Sequence, residues 1–246
     1  TDAVAALTTA QIKVLTSAAL NALSSDQLAA LETDDVAALT TLQVSKLTTT
    51  QVSKLSTDQV VALTADQVKA LTTAQVASLT SEQLNNMASD DLQALTTTQV
   101  KALTTGQIGD LSSTQLSLME TADIATLSAA QAAKLSTDAL AALTTAQAKA
   151  LTSAALNALS SDQLAAIETA DIAALTTDQL SKMSTTLVSK LSTDQIVALS
   201  ANQVKALTTA QVATLTSDQL NNMASDDLQA LTTSQVRALT TAQVNK

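Results

Sequence analysis

Hydrophobic residues recur along this chain with a period of eight residues, and the period holds without an insertion from residue 8 to residue 239. Numbered from Thr8, position one of the octad falls at residues 8, 16, 24 and so on to 232, which gives 29 complete octads. Position five is apolar in all 29 octads, and position eight is Leu, Met or Ile in all 29. The chain is therefore a repeat array whose unit buries two aliphatic side chains.

Polar residues mark the start of each octad. Position one is Ser or Thr in 24 of 29 octads, and position four is Gln or Asp in 25 of 29. This is the spacing of a capping box, in which the first side chain accepts from the N3 amide and the N3 side chain reaches back to the N-cap amide. The residue before position one and the residue at position five are the two ends of a hydrophobic staple. Both motifs predict a helix that begins anew in every octad.

Five octads lack the hydroxyl at position one, and the same five carry Asp at position four. The residues at position one are Glu32, Ala88, Glu120, Glu168 and Ala224, and those at position four are Asp35, Asp91, Asp123, Asp171 and Asp227. A carboxylate in the first turn complements the positive end of the helix dipole. We expect the hydroxyl residue at position two of these octads (Thr33, Ser89, Thr121, Thr169 or Ser225) to cap the helix one residue later.

The remaining positions fit short helices with one buried face. Lysines fall late in the octad, at position six (Lys13, Lys69, Lys101, Lys205) or position seven (Lys46, Lys54, Lys182, Lys190), where the negative end of the helix dipole lies. Position seven is most often Ala, which predicts close approach of neighbouring helices. Positions three and six vary freely and are expected to face water.

Geometry selects among three periodic structures. In one continuous helix, eight residues turn through about 800°, so the apolar stripe would spiral around the axis and bury nothing. In a β-solenoid, positions five and eight would lie on opposite faces of a strand. We therefore predict an all-α solenoid with one short helix per octad, and leave open its handedness and the number of octads per coil. A coiled coil is the alternative, although a period of eight does not match its seam of 3.5 residues.

A longer period overlies the octad. Residues 1–15 match residues 137–151, and residues 63–105 match residues 199–241 with few changes, at an offset of 17 octads. Residues 1–246 are thus one array with a first unit over 1–136 and a second, incomplete unit over 137–246. Thr1 and Lys246 lie inside octads, so we expect a piece of a longer array or a subunit whose ends are covered by neighbours.

Composition excludes several functional classes. The chain has no His, Cys, Pro or aromatic residue, so imidazole or thiolate metal ligands and Ser/His/Asp or Cys/His catalytic groups are absent. A formal charge of −10 and the lack of aromatic stacking platforms argue against nucleic acid as a partner. No apolar run approaches the roughly 20 residues that span a bilayer. We assign no catalytic, cofactor-binding or metal-ligating residue.

A few residues remain candidates for other roles. The adjacent acids Asp34-Asp35, Asp90-Asp91 and Asp226-Asp227 are either Ca²⁺ ligands or, more simply, acids at helix N-termini. Stacked Thr side chains could form a face for ice or polysaccharide, although capping already explains position one. Met87, Met119, Met183 and Met223 occupy position eight and are expected in the core. Gly106 and Gly109 share one octad and predict a local bend.

The phrases LTTAQV at residues 71–76 and 207–212 resemble the octapeptide runs of very large, repetitive bacterial proteins that are predicted to be secreted or displayed at the cell surface. The resemblance covers the whole chain and carries no catalytic residue. It implies a passive extension, an adhesin stalk or a filament, in an extracellular or cell-surface location.

Two functional hypotheses follow. The first is a structural protein, an acidic spacer or self-assembling surface filament that associates with itself end to end or laterally and is not an enzyme. The second is a binding module that presents a repeated face to ice, glycan or Ca²⁺.

Overall fold

A computed structural model describes the backbone of residues 2–245 and the side chains of residues 4–245. All regular secondary structure within residues 2–245 is helical, in 31 helices of four to six residues. There is one helix per octad, which confirms the predicted all-α solenoid and leaves no helix long enough for a coiled coil.

The helices divide between two compact units, Thr1–Asp123 and Ile124–Lys246. The first unit contains α1 Asp2–Ala5, α2 Thr9–Val14, α3 Ser17–Asn21, α4 Ser25–Ala29, α5 Thr33–Ala38, α6 Thr41–Lys46, α7 Thr49–Lys54, α8 Thr57–Val61, α9 Ala65–Ala70, α10 Thr73–Ser78, α11 Ser81–Asn86, α12 Ser89–Ala94, α13 Thr97–Ala102, α14 Thr105–Gly109 and α15 Ser113–Leu118. Helix α16 Thr121–Ile124 includes the boundary. The second unit contains α17 Ala129–Ala132, α18 Thr137–Ala141, α19 Thr145–Ala150, α20 Ser153–Asn157, α21 Ser161–Ala166, α22 Thr169–Ala174, α23 Thr177–Lys182, α24 Thr185–Val188, α25 Thr193–Val197, α26 Ala201–Ala206, α27 Thr209–Val212, α28 Ser217–Asn222, α29 Ser225–Gln229, α30 Thr233–Ala238 and α31 Thr241–Val244.

Capping boxes start most of the helices, as the octad predicts. In α10 the amide of Gln75 donates to Oγ1 of Thr72 at 3.2 Å, and the amide of Thr72 donates to Oε1 of Gln75 at 2.7 Å. These two bonds satisfy two amides that would otherwise lack a partner at the start of the helix. A helix of six residues has few internal hydrogen bonds, so its caps are a large part of its local stability.

Two consecutive extended residues form the corner wherever the C-cap of a helix is the residue at position eight. At the corner after α10, Leu79 has φ −57° and ψ 140°, and Thr80 has φ −73° and ψ 157°. No residue within the described range has a positive φ, so the corners need neither glycine nor proline. At this corner the chain changes direction at Leu79 and Thr80, in a backbone region that any residue can adopt.

The five octads without a hydroxyl at position one do not shift their start, which corrects the prediction of a cap one residue later. Helices α5 and α12 begin at Thr33 and Ser89 in the ordinary register, with Glu32 and Ala88 at the N-cap and no side-chain cap bond. Moving the start by one residue would rotate the apolar positions away from the core. Burial of positions five and eight therefore fixes where these helices begin, and α5 and α12 lack a side-chain cap.

Three octads make one coil. Within each unit, helices pack against the helix three octads further along the chain, so that α7 contacts α10 and α10 contacts α13 in the first unit, and α19 contacts α22 and α22 contacts α25 in the second. One coil therefore contains three octads and three short helices. This settles the number of octads per coil, which the sequence left open.

The core lies inside the coils and is made of positions five and eight. Leu84, Val76 and Leu79 are buried, as are the four methionines at position eight. Position three is exposed almost throughout, as predicted, whereas most alanines at position seven are half-buried and Ala94 alone among them is fully buried within the described residues. The aliphatic positions are therefore buried more completely than the alanines.

Truncation of one core side chain should lower stability strongly. Leu84 is 0% exposed, so Leu84→Ala is expected to cost about 2–5 kcal/mol by loss of burial and creation of a cavity. The matched control is Leu42→Ala at position three, where Leu42 is 63% exposed and the change should stay within about 0.5 kcal/mol. Urea unfolding followed by circular dichroism measures both. Equal effects of the two substitutions would contradict the assignment of the core.

Candidate functional site: a ladder of buried glutamines

The most regular polar feature of the molecule is a set of glutamines at position four, which lie in the core next to the aliphatic side chains. Gln75 is 1% exposed, and most glutamines at this position are similarly buried. A buried amide needs hydrogen-bond partners at both of its polar atoms. The capping box supplies a partner for Oε1 only, so the nitrogen must be satisfied elsewhere.

The amide nitrogen of each such glutamine donates to the preceding coil. Nε2 of Gln75 donates to the carbonyl oxygens of Val44 and Leu47, each at 2.8 Å, which lie 31 and 28 residues earlier. The carbonyl of Val44 lies in the last turn of α6 and also accepts the amide of the C-cap Leu47 at 3.2 Å, whereas the carbonyl of Leu47 lies beyond the helix and accepts no amide from it. Gln75 thus completes the N-terminus of its own helix and the C-terminus of another.

The same bonds recur through both units. Glutamines whose Nε2 donates to a carbonyl 28 or 31 residues earlier are Gln43, Gln51, Gln59, Gln67, Gln83, Gln99, Gln107, Gln115, Gln163, Gln179, Gln195, Gln203, Gln211, Gln219, Gln235 and Gln243, in addition to Gln75. We call this set the glutamine ladder. Each bond contributes about 0.5–1.5 kcal/mol net, and leaving one partner unsatisfied costs more.

Sequence analysis placed these glutamines at the capping box but missed their second role. The available signal is the absence of glutamate. Position four of the 29 octads holds Gln 20 times and Asp five times but never Glu, although Glu closes a capping box as well as Gln does. Glu has two acceptor oxygens and no donor when ionised, so it cannot bond the carbonyls of the preceding coil.

Aspartate replaces glutamine in five octads, and its environment is unusual. Asp35, Asp91, Asp123 and Asp171 are buried, and Asp227 is half-buried. Burial, reinforced by the negative charge of Glu120, raises the pKa of Asp123 to about 6. Burial also raises the pKa of Asp91, Asp171 and Asp227, with smaller contributions from Asp90, Glu168 and Asp226 respectively.

Asp171 shows why an aspartate at position four lowers the stability of the folded state. The residue is 3% exposed, and its Oδ2 has no hydrogen-bond partner. The side chain of Thr145, the first residue of the neighbouring α19, forms a hydrogen bond with this carboxylate, which opposes the rise in its pKa without cancelling it. A buried carboxylate with one unpaired oxygen destabilises the folded state when it is ionised.

In the acid pairs considered as Ca²⁺ ligands, the two carboxylates of a pair lie in different environments. Asp34 and Asp90 are exposed, whereas Asp35 and Asp91 beside them are buried. Within the described residues there is no group of three or more acidic side chains placed to hold a metal ion.

The two glycines, Gly106 and Gly109, lie in or at the end of α14, and Gly106 adopts an ordinary helical conformation.

Within residues 2–245 no helix is long and apolar enough to cross a membrane.

Stacked three-helix coils with an aliphatic core define the class of α-helical solenoid repeat proteins. Seven segments match the model of the ALTTAQ repeat, namely residues 1–33, 28–65, 84–119, 116–153, 164–201, 188–225 and 220–245. The chain belongs to the ALTTAQ repeat family. Comparison with curated proteins found no match.

Replacement of a ladder glutamine by glutamate should separate its two roles. Gln75→Glu keeps the acceptor for the amide of Thr72 but places a carboxylate against the carbonyls of Val44 and Leu47. We expect a loss of about 3 kcal/mol at neutral pH, the upper end for an unsatisfied buried polar group. Urea unfolding at pH 7 measures the loss.

The chain offers a matched control at Gln11, which is exposed and accepts from the amide of Thr8 at 2.8 Å in an equivalent capping box. No carbonyl within the described residues accepts from its nitrogen. Gln11→Glu is expected to leave the free energy of unfolding within about 0.5 kcal/mol of wild type. Equal losses at Gln11 and Gln75 would show that the capping box alone accounts for the preference for glutamine at position four.

The aspartate positions predict a gain of stability on mild acidification. The pKa of Asp123 is about 6 in the folded state, above the ordinary aspartate value of 3.8, so the ionised carboxylate opposes folding at pH 7. As pH falls through about 6, Asp123 takes up a proton in the folded state first, and the free energy of unfolding rises. Thermal melting between pH 7.5 and about 5 measures this.

Asp123→Asn provides the comparison, because the amide is neutral at every pH. The variant should be more stable than wild type at pH 7, and the difference should shrink as the pH approaches 5. A difference that does not depend on pH would exclude Asp123 as the titrating group.

Proposed function

We propose that the chain is a structural repeat protein, an extended spacer or self-assembling surface filament, with no catalytic role. The observation that carries this proposal is the use of the buried polar groups. The nitrogen of Gln75 joins its coil to the preceding one, and its oxygen closes the cap of its own helix. Glutamines repeat this arrangement along both units, so the buried hydrogen bonds of the interior hold successive coils together.

The exposed positions also support a structural role. Position three is exposed and position six is exposed or half-buried, and both carry Ala, Thr, Asp, Ser, Lys and other residues without a fixed pattern. A catalytic or specific binding site requires particular side chains held in a particular place. A spacer requires only that the surface be soluble, which the formal charge of −10 favours.

An extracellular or cell-surface location is part of the proposal. It is supported by the resemblance of the octads to those of large, repetitive bacterial proteins predicted to be secreted or displayed. In that setting a chain of stacked coils separates whatever lies at its two ends, and self-association extends the separation.

Small-angle X-ray scattering of the purified chain tests the spacer proposal. An array in which coils contact only their neighbours should scatter as an elongated particle, because each added coil adds length. The reference is a globular protein of similar mass, about 25.1 kDa. A maximum dimension equal to that of the globular reference would contradict the proposal.

A second candidate function is a binding module for ice, glycan or Ca²⁺, and one observation favours it. Thr49, Thr73 and Thr97 begin the stacked helices α7, α10 and α13, are exposed, and recur at every third octad. Their hydroxyls lie outside the capping boxes, which use position one. Thermal hysteresis, glycan-array binding and a Ca²⁺-dependent melting shift would each reveal such a function, and the spacer proposal predicts none of the three.

A further inference from the structure

The glutamine ladder is interrupted around helix α18 of the second unit. Position four of this octad is Ala139, which has no side-chain amide to donate to another coil. The carbonyls at the end of α18 belong to Leu140 and Leu143, and the residue 31 and 28 positions later is Asp171 instead of a glutamine. No side chain within the described residues donates to either carbonyl. Helix α18 therefore lacks ladder bonds at both of its ends.

Helix α26 shows the complete arrangement in the same unit. At its start, Nε2 of Gln203 donates to the carbonyl of Leu175 at 2.7 Å. At its end, the carbonyls of Val204 and Leu207 accept from Nε2 of Gln235 at 2.9 and 2.7 Å. Helix α26 is thus bonded to the coil before it and to the coil after it, and α18 has neither connection.

Helix α20 also lacks both ladder glutamines, but it carries a replacement amide at position six. Position four is Ala155 in its own octad and Leu187 in the octad that should bond its carbonyls. Nδ2 of Asn157 donates to the carbonyl of Lys182 at 2.8 Å, and its Oδ1 accepts from the amide of Ser184 at 2.7 Å. Asn157 therefore joins two coils where the ladder does not.

Helix α18 has no such replacement, and the core on either side of it is smaller. Its position six is Ala141, whose methyl group forms no hydrogen bond. The neighbouring helices α17 and α19 carry Ala132 and Ala148 at position five, where the other complete octads have Val, Ile or Leu. Both alanines are fully buried, and alanine removes less apolar surface from water than the larger residues do. Polar and apolar cohesion are therefore both reduced in the coil of α17, α18 and α19, residues 128–151.

We propose that the 128–151 coil opens locally while the later coils of the same unit stay folded, and that it is the point at which the spacer lengthens under tension. Local opening begins where buried contacts and backbone partners are fewest. The 24 residues of this coil reach about 80 Å when fully extended. The role in lengthening rests on the proposed spacer function, whereas the local opening does not depend on it.

Trypsin tests the opening because the same cleavage sites recur in different coils. Lys149, Lys205 and Lys101 are exposed at position six, and each is followed by Ala and Leu. Lys134 and Lys190 are exposed at position seven, and each is followed by Leu and Ser. Cleavage inside a folded coil requires local unfolding, and at low trypsin concentration its rate follows the population of the opened state.

We expect cleavage of the wild-type chain to be about tenfold faster after Lys149 than after Lys205 or Lys101, a ratio that corresponds to about 1.4 kcal/mol. Cleavage after Lys134 should exceed that after Lys190 in the same way. Mass spectrometry of the fragments over time measures each rate. Equal rates after Lys149 and Lys205 would overturn the proposal.

Two substitutions should slow the cleavage after Lys149. Asp171→Gln supplies an amide donor for the carbonyls at the end of α18, and Ala148→Val restores a larger side chain in the core. The control is Asp162→Gln, which removes the same charge at an exposed position-three site of α21 and should leave the rate unchanged. Circular dichroism verifies that each variant is folded. A rate that neither Asp171→Gln nor Ala148→Val lowers would overturn the proposal.

The same lack of bonds can be transferred to α9 in the first unit. Gln67 donates to the carbonyl of Leu39, and Gln99 donates to the carbonyl of Leu71 at the end of α9. Gln67→Ala combined with Gln99→Ala removes the ladder bonds at both ends of this helix. Cleavage after Lys69, which is also followed by Ala and Leu, should then rise about tenfold.

An unchanged rate after Lys69 in the double variant would show that missing ladder amides do not open a coil, and it would overturn the proposal. Such a result would leave the spacer function standing if the chain scatters as an elongated particle. Scattering as a globular particle would instead overturn the spacer function and leave the order of cleavage unaffected.

Discussion

The structure depends on a single side-chain amide that bonds in two directions. Through its oxygen, each ladder glutamine closes the capping box of its own helix, and through its nitrogen it completes the C-terminus of a helix in the preceding coil, as Gln75 does with Thr72, Val44 and Leu47. Helices of four to six residues leave most of their backbone groups without partners inside the helix. The buried glutamine supplies a partner for one amide of its own helix and for two carbonyls of another, so helix formation and coil stacking depend on one another.

This coupling explains the strict length of the octad. Insertion of one residue would move the glutamine away from the carbonyls 28 and 31 residues before it and would rotate positions five and eight out of the core. A whole octad can be added without either effect. The long duplication follows the same rule, since its offset of 17 octads is a whole number of octads although it is not a multiple of the three octads in a coil.

The aspartate octads show what is lost when the amide is replaced. Aspartate is shorter than glutamine and offers no donor when ionised, so Asp171 keeps one oxygen unpaired in the core. The register of these octads is nevertheless unchanged, as the starts of α5 and α12 show. Aliphatic burial therefore sets where each helix begins, and the polar network determines how firmly one coil holds the next.

The local architecture follows from the octad pattern alone. The spacing of Thr72, Gln75 and Val76 predicts where α10 starts, and Leu79 predicts where the core side chain and the corner fall, because capping and burial act within one octad. Sequence reasoning likewise placed the methionines in the core and reached the all-α solenoid. The folded molecule was needed to show that three octads form a coil, that Gln75 bonds the carbonyl of Val44, and that the pKa of Asp123 rises to about 6. The coil contacts and the bond from Gln75 to Val44 join residues that lie three to four octads apart, and the burial of Asp123 depends on the same packing. The angle of successive corners sets which side chains meet, and no local preference encodes that angle.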